Sequence, residues 1–444
     1  MKHSHSAKTH SDGLSRRTFI KQAVGVGAGA IAFPHIVRAS VLGRSGRTAP
    51  SSRIVMGAIG VGGQGTRHVV GGIWTPSGGL VGRDDVQVVA VCDVNAHNRN
   101  NAQNLVNQRY GNKDCAAYND FRELLARDDI DAVLIATGDR WYPVIATAAA
   151  RAGKDMYCEK PISVTIEEAI AMREEMRRYG AVFQMGTQQR SSYSFRFACE
   201  LVRNGYIGDV KEVVVGVGGP PSVRDCRLPA QPVPDWLDYD MWLGPAPWRP
   251  YNADYVNGWM AFRDFSGGEM TNWGAHHFDI AQWGLGMDNS GPVGIVPPNG
   301  KDVKVLTYHY ATGAVMTRDP DRLRQESGQD NGLMFVGTKG KVAVWRYELK
   351  TWPDNLSRQK IGPNEIHLHV ADNHHTDFLN AVRTRSHPGS DIAIGARTLT
   401  VCHLGNIAYE LGRPVRWNPK QEHFVNDPEA DRLFSRQMRG PWHL

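Results

Sequence analysis

A glycine-rich turn near residue 60 constrains the fold of this chain most. An apolar run over residues 54–59 is followed by Gly60, Gly62 and Gly65 in the pattern GxGxxG, and a helix-like run extends from there to Val70. The first glycine permits a tight turn, the second lets the backbone approach a pyrophosphate, and the third lets the helix pack closely on the strand. The free N–H groups of such a helix N-terminus attract phosphate. The sequence therefore predicts a dinucleotide-binding turn whose cofactor contacts are Gly60, Gly62, Gly63, Gln64 and Gly65.

A second strand-like run, residues 86–92, leads directly to Asp93. This acid follows Gly65 by 28 residues, which is longer than the usual spacing of about 20 residues and implies an inserted loop over residues 74–82. A carboxylate at this point hydrogen-bonds the ribose diol of the cofactor and repels a 2′-phosphate. Asp93 thus favours NAD over NADP, although Arg99 lies nearby and offers the opposite preference. The alternative reading of Asp93 is a turn residue at a strand end.

Strand-like and helix-like runs alternate from residue 53 to residue 180, which is typical of a doubly wound parallel sheet. This Rossmann domain places Thr137, at the end of a buried strand, beside the cofactor. The predicted elements are a helix over 118–125, a strand over 130–137, a helix over 143–152, a strand over 156–158 and a helix over 166–179.

Strands recur beyond residue 180 without helices of matching length between them. This pattern predicts a second α/β domain, residues 181–444, that contains an open and predominantly antiparallel sheet and ends in a C-terminal tail. Its predicted strands are residues 182–186, 210–217, 303–310, 332–336 and 341–345.

Lys160 stands at the end of a short apolar strand, between Glu159 and Pro161. Ligands of open α/β sheets bind at the carboxyl ends of strands, so the ammonium group is expected to point into the cofactor crevice. We interpret Lys160 as a catalytic lysine and Glu159 as a cofactor contact. An ordinary salt bridge at a strand end is the alternative.

A second polar cluster follows the flexible pair Gly267-Gly268. Asn272, His276 and Asp279 are spaced i, i+4 and i+7, so they share one face of a helix. Because a histidine can exchange a proton near neutral pH, we predict that His276 and Asn272 act with Lys160 in catalysis. His277 points elsewhere and is predicted either to pack in the core or to contact substrate, and Asp279 is a predicted substrate contact.

Residues 220–285 are rich in proline and aromatic residues and hold six of the 12 tryptophans. Flat apolar rings beside polar groups suit carbohydrates, so Tyr255 and Trp259 are predicted substrate contacts. A long loop packed by its own aromatic side chains is the alternative.

The N-terminus reads as a targeting segment. Arg16-Arg17 precedes a short apolar run and the small residues that end at Ala39, a pattern similar to a twin-arginine export signal. We therefore expect residues 1–39 to be a signal peptide cleaved near Ala39, residues 40–52 to be a linker, and the mature protein to be periplasmic or exported, without a stable membrane anchor.

Composition excludes several partners and sites. The net charge is +6, and residues 1–39 carry six basic residues against one acidic residue, so the remainder is nearly neutral and offers no case for nucleic-acid binding. Six cysteines occur without CxxC or zinc-ligand spacing. We expect free buried thiols and no metal site.

The glycine turn, Glu159-Lys160-Pro161, the stretch from Gly186 to Arg190, and the Gly-Ala-His-His-Phe-Asp helix together resemble the Gfo/Idh/MocA family. The resemblance extends from Arg53 to Leu444 and is strongest to the exported bacterial members. It implies a sugar-like substrate that lies between Lys160, His276 and the nicotinamide ring and is contacted by Arg190. It also implies a homo-oligomer, a dimer or a tetramer.

Asn272 departs from the family pattern, since many members carry aspartate four residues before the histidine. Asparagine cannot accept a proton at any working pH. Arg140 and Tyr142 also replace histidines that often follow the strand ending at Thr137.

Three functional hypotheses follow. The first is an NAD(P)-dependent oxidoreductase that acts on a sugar or polyol by hydride transfer, with Lys160 and His276 in acid–base roles. The second is a redox-neutral glycosidase or epimerase that recycles a tightly bound NAD. The third is a cofactor-loaded binding protein without turnover.

Overall fold

A computed structural model describes residues 48–73, 75, 78–221 and 228–444. The predicted signal peptide and its cleavage point at Ala39 lie outside these residues. The chain forms two compact units, Met1–Ser52 and Arg53–Leu444. In the first unit the described part contains a short 3-10 helix, Pro50–Ser52. All further description concerns the second unit.

The first sheet is parallel and has the strand order β3-β2-β1-β4-β5-β6 in the described residues. This is the order of a doubly wound dinucleotide-binding fold, in which the direction of winding reverses between β1 and β4. The strands are short and largely buried, as parallel strands covered by helices on both faces must be. Their bounds are β1 Ile54–Ile59, β2 Val86–Cys92, β3 Ala116–Tyr118, β4 Ala132–Ile135, β5 Asp155–Cys158 and β6 Phe183–Met185.

The second sheet is mixed but mostly antiparallel, with the order β13-β12-β11-β7-β10-β9-β8-β14-β15 in the described residues. Its one parallel pairing joins β7 and β10. This architecture confirms the predicted fold class. The bounds are β7 Val210–Gly216, β8 Gly294–Val296, β9 Leu306–His309, β10 Val315–Arg318, β11 Gly332–Gly337, β12 Lys341–Trp345, β13 Glu348–Trp352, β14 Val415–Asn418 and β15 His423–Phe424.

The helices lie between and upon these sheets. The described residues form α1 Gly63–Val70, α2 Ala96–Tyr110, α3 Phe121–Leu125, α4 Tyr142–Arg151, α5 Ile166–Tyr179, α6 Tyr193–Arg203, α7 Tyr239–Leu243, α8 Ala253–Asn257, α9 Glu269–Asn272, α10 Gly274–Leu285, α11 Pro320–Ser327, α12 His374–Thr384, α13 Ile392–Leu411 and α14 Pro428–Asp431. Short 3-10 helices span Asp139–Trp141, Gln188–Ser191, Trp259–Ala261 and Asp354–Arg358. In the described part of the chain, no helix combines the length and the apolar character needed to cross a membrane.

A continuous apolar core joins the two sheets. Ile135 of β4 and Met185 of β6 belong to the same buried cluster as Val213 of β7 and Phe335 of β11. Helix α13 packs against both α5 and α10. Since apolar burial contributes roughly 25 cal/mol per Å², this shared core holds the carboxyl ends of the first sheet against α10.

Two predicted elements differ from the structure. The strand near residues 182–186 pairs in parallel with β5 and is the sixth strand of the first sheet, not part of the second. The predicted helix from residue 118 begins three residues later, because Tyr118 ends β3 and Asp120 caps α3 by accepting the backbone N–H of Arg122.

The five cysteines among the described residues are buried and free. Cys226 lies outside the described residues. Within the part of the chain that the structure describes, no group of three histidine, cysteine or acidic side chains is arranged to hold a metal ion.

Candidate active site

The glycine turn has no room for side chains at two of its positions. Gly60 has a φ of +81°, and a Cβ there would lie 2.5 Å from the carbonyl oxygen of Ala136, directly after β4. A Cβ on Gly65 would lie 1.9 Å from the carbonyl oxygen of Gly60. Gly62 and Gly63 are more open, so the backbone at the start of α1 can approach a ligand. The turn is therefore built as a cradle for a phosphate group.

A cleft of 440 Å³ opens in front of this turn. Gly60, Gly62, Gly63, Gln64, Asp93 and Thr137 line it, whereas Gly65 lies behind the turn. Six residues predicted to contact the cofactor therefore border one cavity, and the position of Gly65 agrees with its predicted packing role.

Asp93 is fixed by backbone hydrogen bonds. Its Oδ2 accepts the N–H of Val61 at 2.9 Å, and its Oδ1 accepts the N–H of Asn95 at 2.8 Å. Burial raises the pKa of Asp93 to about 6 despite these hydrogen bonds. Arg99 lies beside it and donates to the Asp93 backbone carbonyl and to Asn119 Oδ1. The carboxylate of Asp93 thus lines the cleft, and the guanidinium of Arg99 lies close to it without lining the cleft.

The aromatic segment, residues 220–285, contributes apolar side chains to this cleft. Leu237, Trp242, Val256 and Trp259 line it. Tyr255, predicted to contact substrate, lies outside the cavity in a small buried core, where its ring meets Phe262 and Phe265 edge-on. Part of the segment therefore packs on itself, and part of it lines the cofactor cleft.

A second cavity, of 270 Å³, lies beside the first. Gln64, Ala136, Thr137 and Trp259 border both cavities, so the two cavities are neighbours that share part of their lining. The second cavity is lined further by Asp139, Tyr142, Glu159, Lys160, Gln188, Met260, Asn272, Trp273, His276 and Arg346. The structure thus brings Lys160, Asn272 and His276 together around one space.

Lys160 is oriented by an amide. Its Nζ donates a hydrogen bond of 2.5 Å to Asn272 Oδ1, and Asn272 Nδ2 donates to Glu269 Oε1 at 3.1 Å. Burial lowers the pKa of Lys160, and Arg346 adds to this effect, while Glu159 and Asp139 oppose it. Asn272 therefore directs the ammonium group into the cavity without supplying a proton acceptor.

His276 is held neutral. Its Nδ1 lies 3.5 Å from Thr187 Oγ1, and its Nε2 lies 3.5 Å from an Nη2 of Arg346. Burial lowers its pKa well below the usual range, and the charges of Lys160 and Arg346 lower it further. The sequence suggested a histidine that titrates near neutral pH, but this ring is neutral at pH 7 because it is buried beside two cations.

Glu159 is anchored from behind the cavity. His68 Nε2 and Gln188 Nε2 each lie 2.7 Å from its Oε1, and Oε2 accepts the N–H of Lys160 at 3.1 Å. Although burial raises the pKa of Glu159, the hydrogen bonds and the charges of His68 and Lys160 leave it below the usual range. Glu159 is therefore an ionised counter-charge to Lys160.

Three residues predicted to contact substrate lie beneath the cavity wall instead of lining it. Arg190 makes two hydrogen bonds to Asp279, of 2.7 and 2.8 Å, and also pairs with Asp288. His277 Nδ1 lies 3.0 Å from the carbonyl oxygen of Gly216. Buried charges need such pairing. These hydrogen bonds hold α10 in place. Substrate contact by Arg190, His277 and Asp279 stays a prediction.

Sequence reasoning missed several cavity residues, among them the charged side chains Asp139 and Arg346. A signal for Asp139 was present, since it follows Thr137 by two residues at the carboxyl end of β4, where ligands of such sheets bind. Arg346 lies after β12, far along the chain, and only the fold brings its guanidinium over the ring of Trp273, 4.9 Å from the centroid.

The fold and the cleft define a Rossmann-type enzyme with a second α/β domain. The chain belongs to the Gfo/Idh/MocA oxidoreductase family: residues 54–187 match the family's NAD-binding Rossmann fold, and residues 222–444 match its C-terminal α/β domain.

Named relatives have different activities. The myo-inositol 2-dehydrogenase of Thermotoga maritima is 26% identical over 296 residues, 65% of this chain and 74% of that protein. An α-N-acetylgalactosaminidase of Shewanella oneidensis is 28% identical over 211 residues, 44% of each chain.

A solved structure supports the fold. The scyllo-inositol dehydrogenase of Lactobacillus casei, crystallised with NAD(H) and scyllo-inositol, superposes with a TM-score of 0.54 at 17% identity and covers 82% of this chain and 99% of that chain. At this identity the likeness concerns the fold alone.

Proposed function

We propose that this protein is an NAD(P)-dependent oxidoreductase that oxidises a secondary hydroxyl group of a sugar, a polyol or a sugar derivative. The observation that carries the proposal is that the two cavities are neighbours. Thr137 and Gln64 line both the cleft at the glycine turn and the space that Lys160 and His276 border. A substrate there would adjoin the reactive end of a cofactor held by the glycine turn.

The chain's residues fit this cofactor. Gly60 and Gly65 leave no room for a side chain at their own positions, and Asp93 lines the same cleft, where we expect it to face the ribose. When bound, the nicotinamide supplies a hydride acceptor. Asp93 favours NAD, because a carboxylate repels the 2′-phosphate of NADP.

The cavity residues suit a hydroxyl substrate. Lys160 is a donor that can stabilise the negative charge which develops on the substrate oxygen, and Asn272 holds it in place. Neutral His276 can hydrogen-bond a further hydroxyl group. The rings of Trp259 and Trp273 border the same space and can pack on sugar C–H groups.

A redox-neutral glycosidase or epimerase is the second candidate. The similarity to an α-N-acetylgalactosaminidase favours it. In this reading the same hydroxyl oxidation is reversed before the product leaves. Export by the twin-arginine route and assembly into a homo-oligomer, both expected from the sequence, belong to the proposal as well.

The Lys160→Met variant tests the proposal. The purified protein is screened with NAD⁺ and NADP⁺ against cyclitols, free sugars and glycosides while reduced nicotinamide and released sugar are both followed. We expect turnover by the wild type and a loss of about 100-fold or more in kcat for Lys160→Met, because charge stabilisation matters mainly in the transition state. Cofactor binding, measured by quenching of tryptophan fluorescence, should persist in the variant.

Lys211→Met is the matched control. Lys211 is an exposed residue of β7 in the second sheet, and its Nζ lies 3.9 Å from Asp209 Oδ2. It should leave kcat unchanged. Turnover by Lys160→Met at the wild-type rate would contradict the role of the lysine, and a wild-type protein that binds cofactor but transforms no substrate would contradict the proposed function.

A further inference from the structure

Asp139 is an acid in the active-site cavity without an assigned role. It begins the 3-10 helix after β4, is 1% exposed, and lines the same space as Lys160, Asn272 and His276. Its Oδ2 accepts a hydrogen bond of 2.7 Å from Ser266 Oγ. Its Oδ1 is buried and has no hydrogen-bond partner in the structure as described. A buried carboxylate oxygen is costly to leave without a partner, so a vacant acceptor of this kind suggests a functional role.

Among the described residues around this cavity, no other side chain is as well suited to accept a proton. Asn272 is an amide and has no basic atom. His276 is neutral, its pKa lies well below the usual range, and its Nε2 faces the guanidinium of Arg346. Glu159 has both carboxylate oxygens occupied by hydrogen bonds. Lys160 donates a hydrogen bond to Asn272 Oδ1 through its ammonium group.

We propose that Asp139 is the catalytic base and that its Oδ1 accepts the proton of the substrate hydroxyl group. This assignment rests on the proposed function. It also explains how the chain tolerates asparagine at position 272, since the carboxylate is supplied from the end of β4 instead of from the catalytic helix.

In the direction of oxidation, an O–H bond and a C–H bond of the substrate break. The O–H bond of the substrate breaks and its proton bonds to Asp139 Oδ1, while the hydrogen on the same carbon leaves with its electron pair to NAD(P)⁺, the oxidant. A carbonyl group forms from the C–O bond. Lys160 stabilises the oxygen as its charge develops, and Asp139 later releases the proton to water.

The electrostatic surroundings support this role. Burial raises the pKa of Asp139 to about 7, against the opposing effects of the Ser266 hydrogen bond and the charges of Lys160 and Arg140. Tyr142, also nearby, has a pKa well above its usual value because it is buried, and so remains uncharged. A base whose pKa lies near the working pH combines a useful ionised fraction with proton affinity.

The test is a set of pH profiles on the full-length protein. The proton acceptor must be ionised, so kcat/KM for oxidation by the wild type should rise with pH and level off above about 7. Asp139→Asn keeps the shape of the side chain and an oxygen for Ser266, and it should lower kcat about 100-fold or more and abolish this rise. Ser266→Ala removes a hydrogen bond that favours the carboxylate, so it should move the rise to higher pH. Asp139→Glu should keep the pH dependence at a reduced rate.

A second readout needs no turnover. Infrared difference spectra of the cofactor-free protein should show a protonated carboxyl band that disappears as the pH rises through about 7 and that is missing in Asp139→Asn. A wild-type rate in Asp139→Asn would overturn the assignment, as would a slow variant that keeps the wild-type pH rise or the absence of the titrating band. Failure of the wild type to oxidise any substrate would instead overturn the proposed function, and this assignment with it.

Discussion

Asp93 is the residue at which cofactor preference can be measured. Its ionised carboxylate should disfavour a 2′-phosphate, so at pH 7.5 we expect NAD to bind at least about tenfold more tightly than NADP, a difference of about 1.4 kcal/mol. The pKa of Asp93 is raised to about 6, so the carboxylate becomes protonated and its repulsion weakens as the pH falls through 6. The NAD preference should therefore decrease between pH 7.5 and 5.5, as measured by fluorescence titration.

Asp93→Asn is the control for this prediction. The 2′-phosphate takes up a proton in the same pH range, and that contribution is common to both proteins. The wild-type preference should depend more steeply on pH than that of Asp93→Asn. Equal affinities for the two cofactors at pH 7.5 would show that Arg99 offsets the carboxylate. An equal pH dependence of the preference in the wild type and in Asp93→Asn would show that ionisation of Asp93 does not set it.

At the residue scale, the sequence could identify those functional side chains that belong to a short local motif or share a helical spacing. Lys160 follows a strand within a short motif, and Asn272 and His276 share a helical spacing, so their meeting in one cavity could be anticipated. Arg346 could not, because its place beside His276 depends on a contact across 70 residues of chain. The pKa of His276 depends on the same contact and on burial, which no local pattern shows.

The turn into α1 is the element on which the cofactor cleft depends most. A Cβ on Gly65 would lie 1.9 Å from the Gly60 carbonyl oxygen, whereas a Cβ on Gly63 would meet nothing within 4 Å. Gly65→Ala should lower the free energy of unfolding of the cofactor-free protein by roughly 1–3 kcal/mol, since backbone must move to relieve the overlap. Gly63→Ala, in the same helix, should leave it unchanged or raise it by up to about 1 kcal/mol.

Urea denaturation followed by tryptophan fluorescence compares the two variants. Both replace a glycine of α1 by alanine, so any difference between them reports the contact and not the helix propensity. Equal denaturation midpoints would mean that the strand and helix can separate freely at this point and that the close approach is not a constraint.

Elements could be predicted where local signals mark both ends. Helix α5 begins and ends at the predicted residues, because Thr165 and Glu168 form a capping box and Gly180 takes a left-handed conformation with a φ of 62°. The predicted catalytic helix is instead two helices, α9 and α10, with Trp273 between them. Asn272 therefore ends one helix and His276 belongs to the next, yet both line the same cavity.

At the scale of the whole molecule, the alternation of elements predicted two sheets of the right kind, but it could not assign β6. A single short strand carries no information about its partner, and β6 joins β5 because the chain returns to the edge of the first sheet. The aromatic segment was equally ambiguous. Only the fold shows that Trp242 and Trp259 line the same cleft as the glycine turn.

The aromatic residues that line the cofactor cleft are relevant to the compartment in which the enzyme acts. If the chain is exported, as the arginine pair near its N-terminus indicates, it meets no pool of free NAD and must carry its cofactor from the cytoplasm. Leu237, Trp242 and Trp259 line the same cleft as the glycine turn, so we expect these apolar side chains to pack on a bound dinucleotide and to slow its release. We therefore predict slow cofactor dissociation and nucleotide that co-purifies with the protein.

A retained cofactor must return to its starting redox state in each catalytic cycle, either by coupled oxidation and reduction of two sugars or by a redox-neutral reaction at one. Protein freed of loose nucleotide by gel filtration should therefore transform substrate without added NAD, and reduced nicotinamide should not accumulate in solution. Heat denaturation should release nucleotide in proportion to protein, and Trp259→Ala should release it faster. Sustained production of soluble NADH that requires added NAD would contradict the closed cycle and identify a simple dehydrogenase that exchanges its cofactor at every turnover.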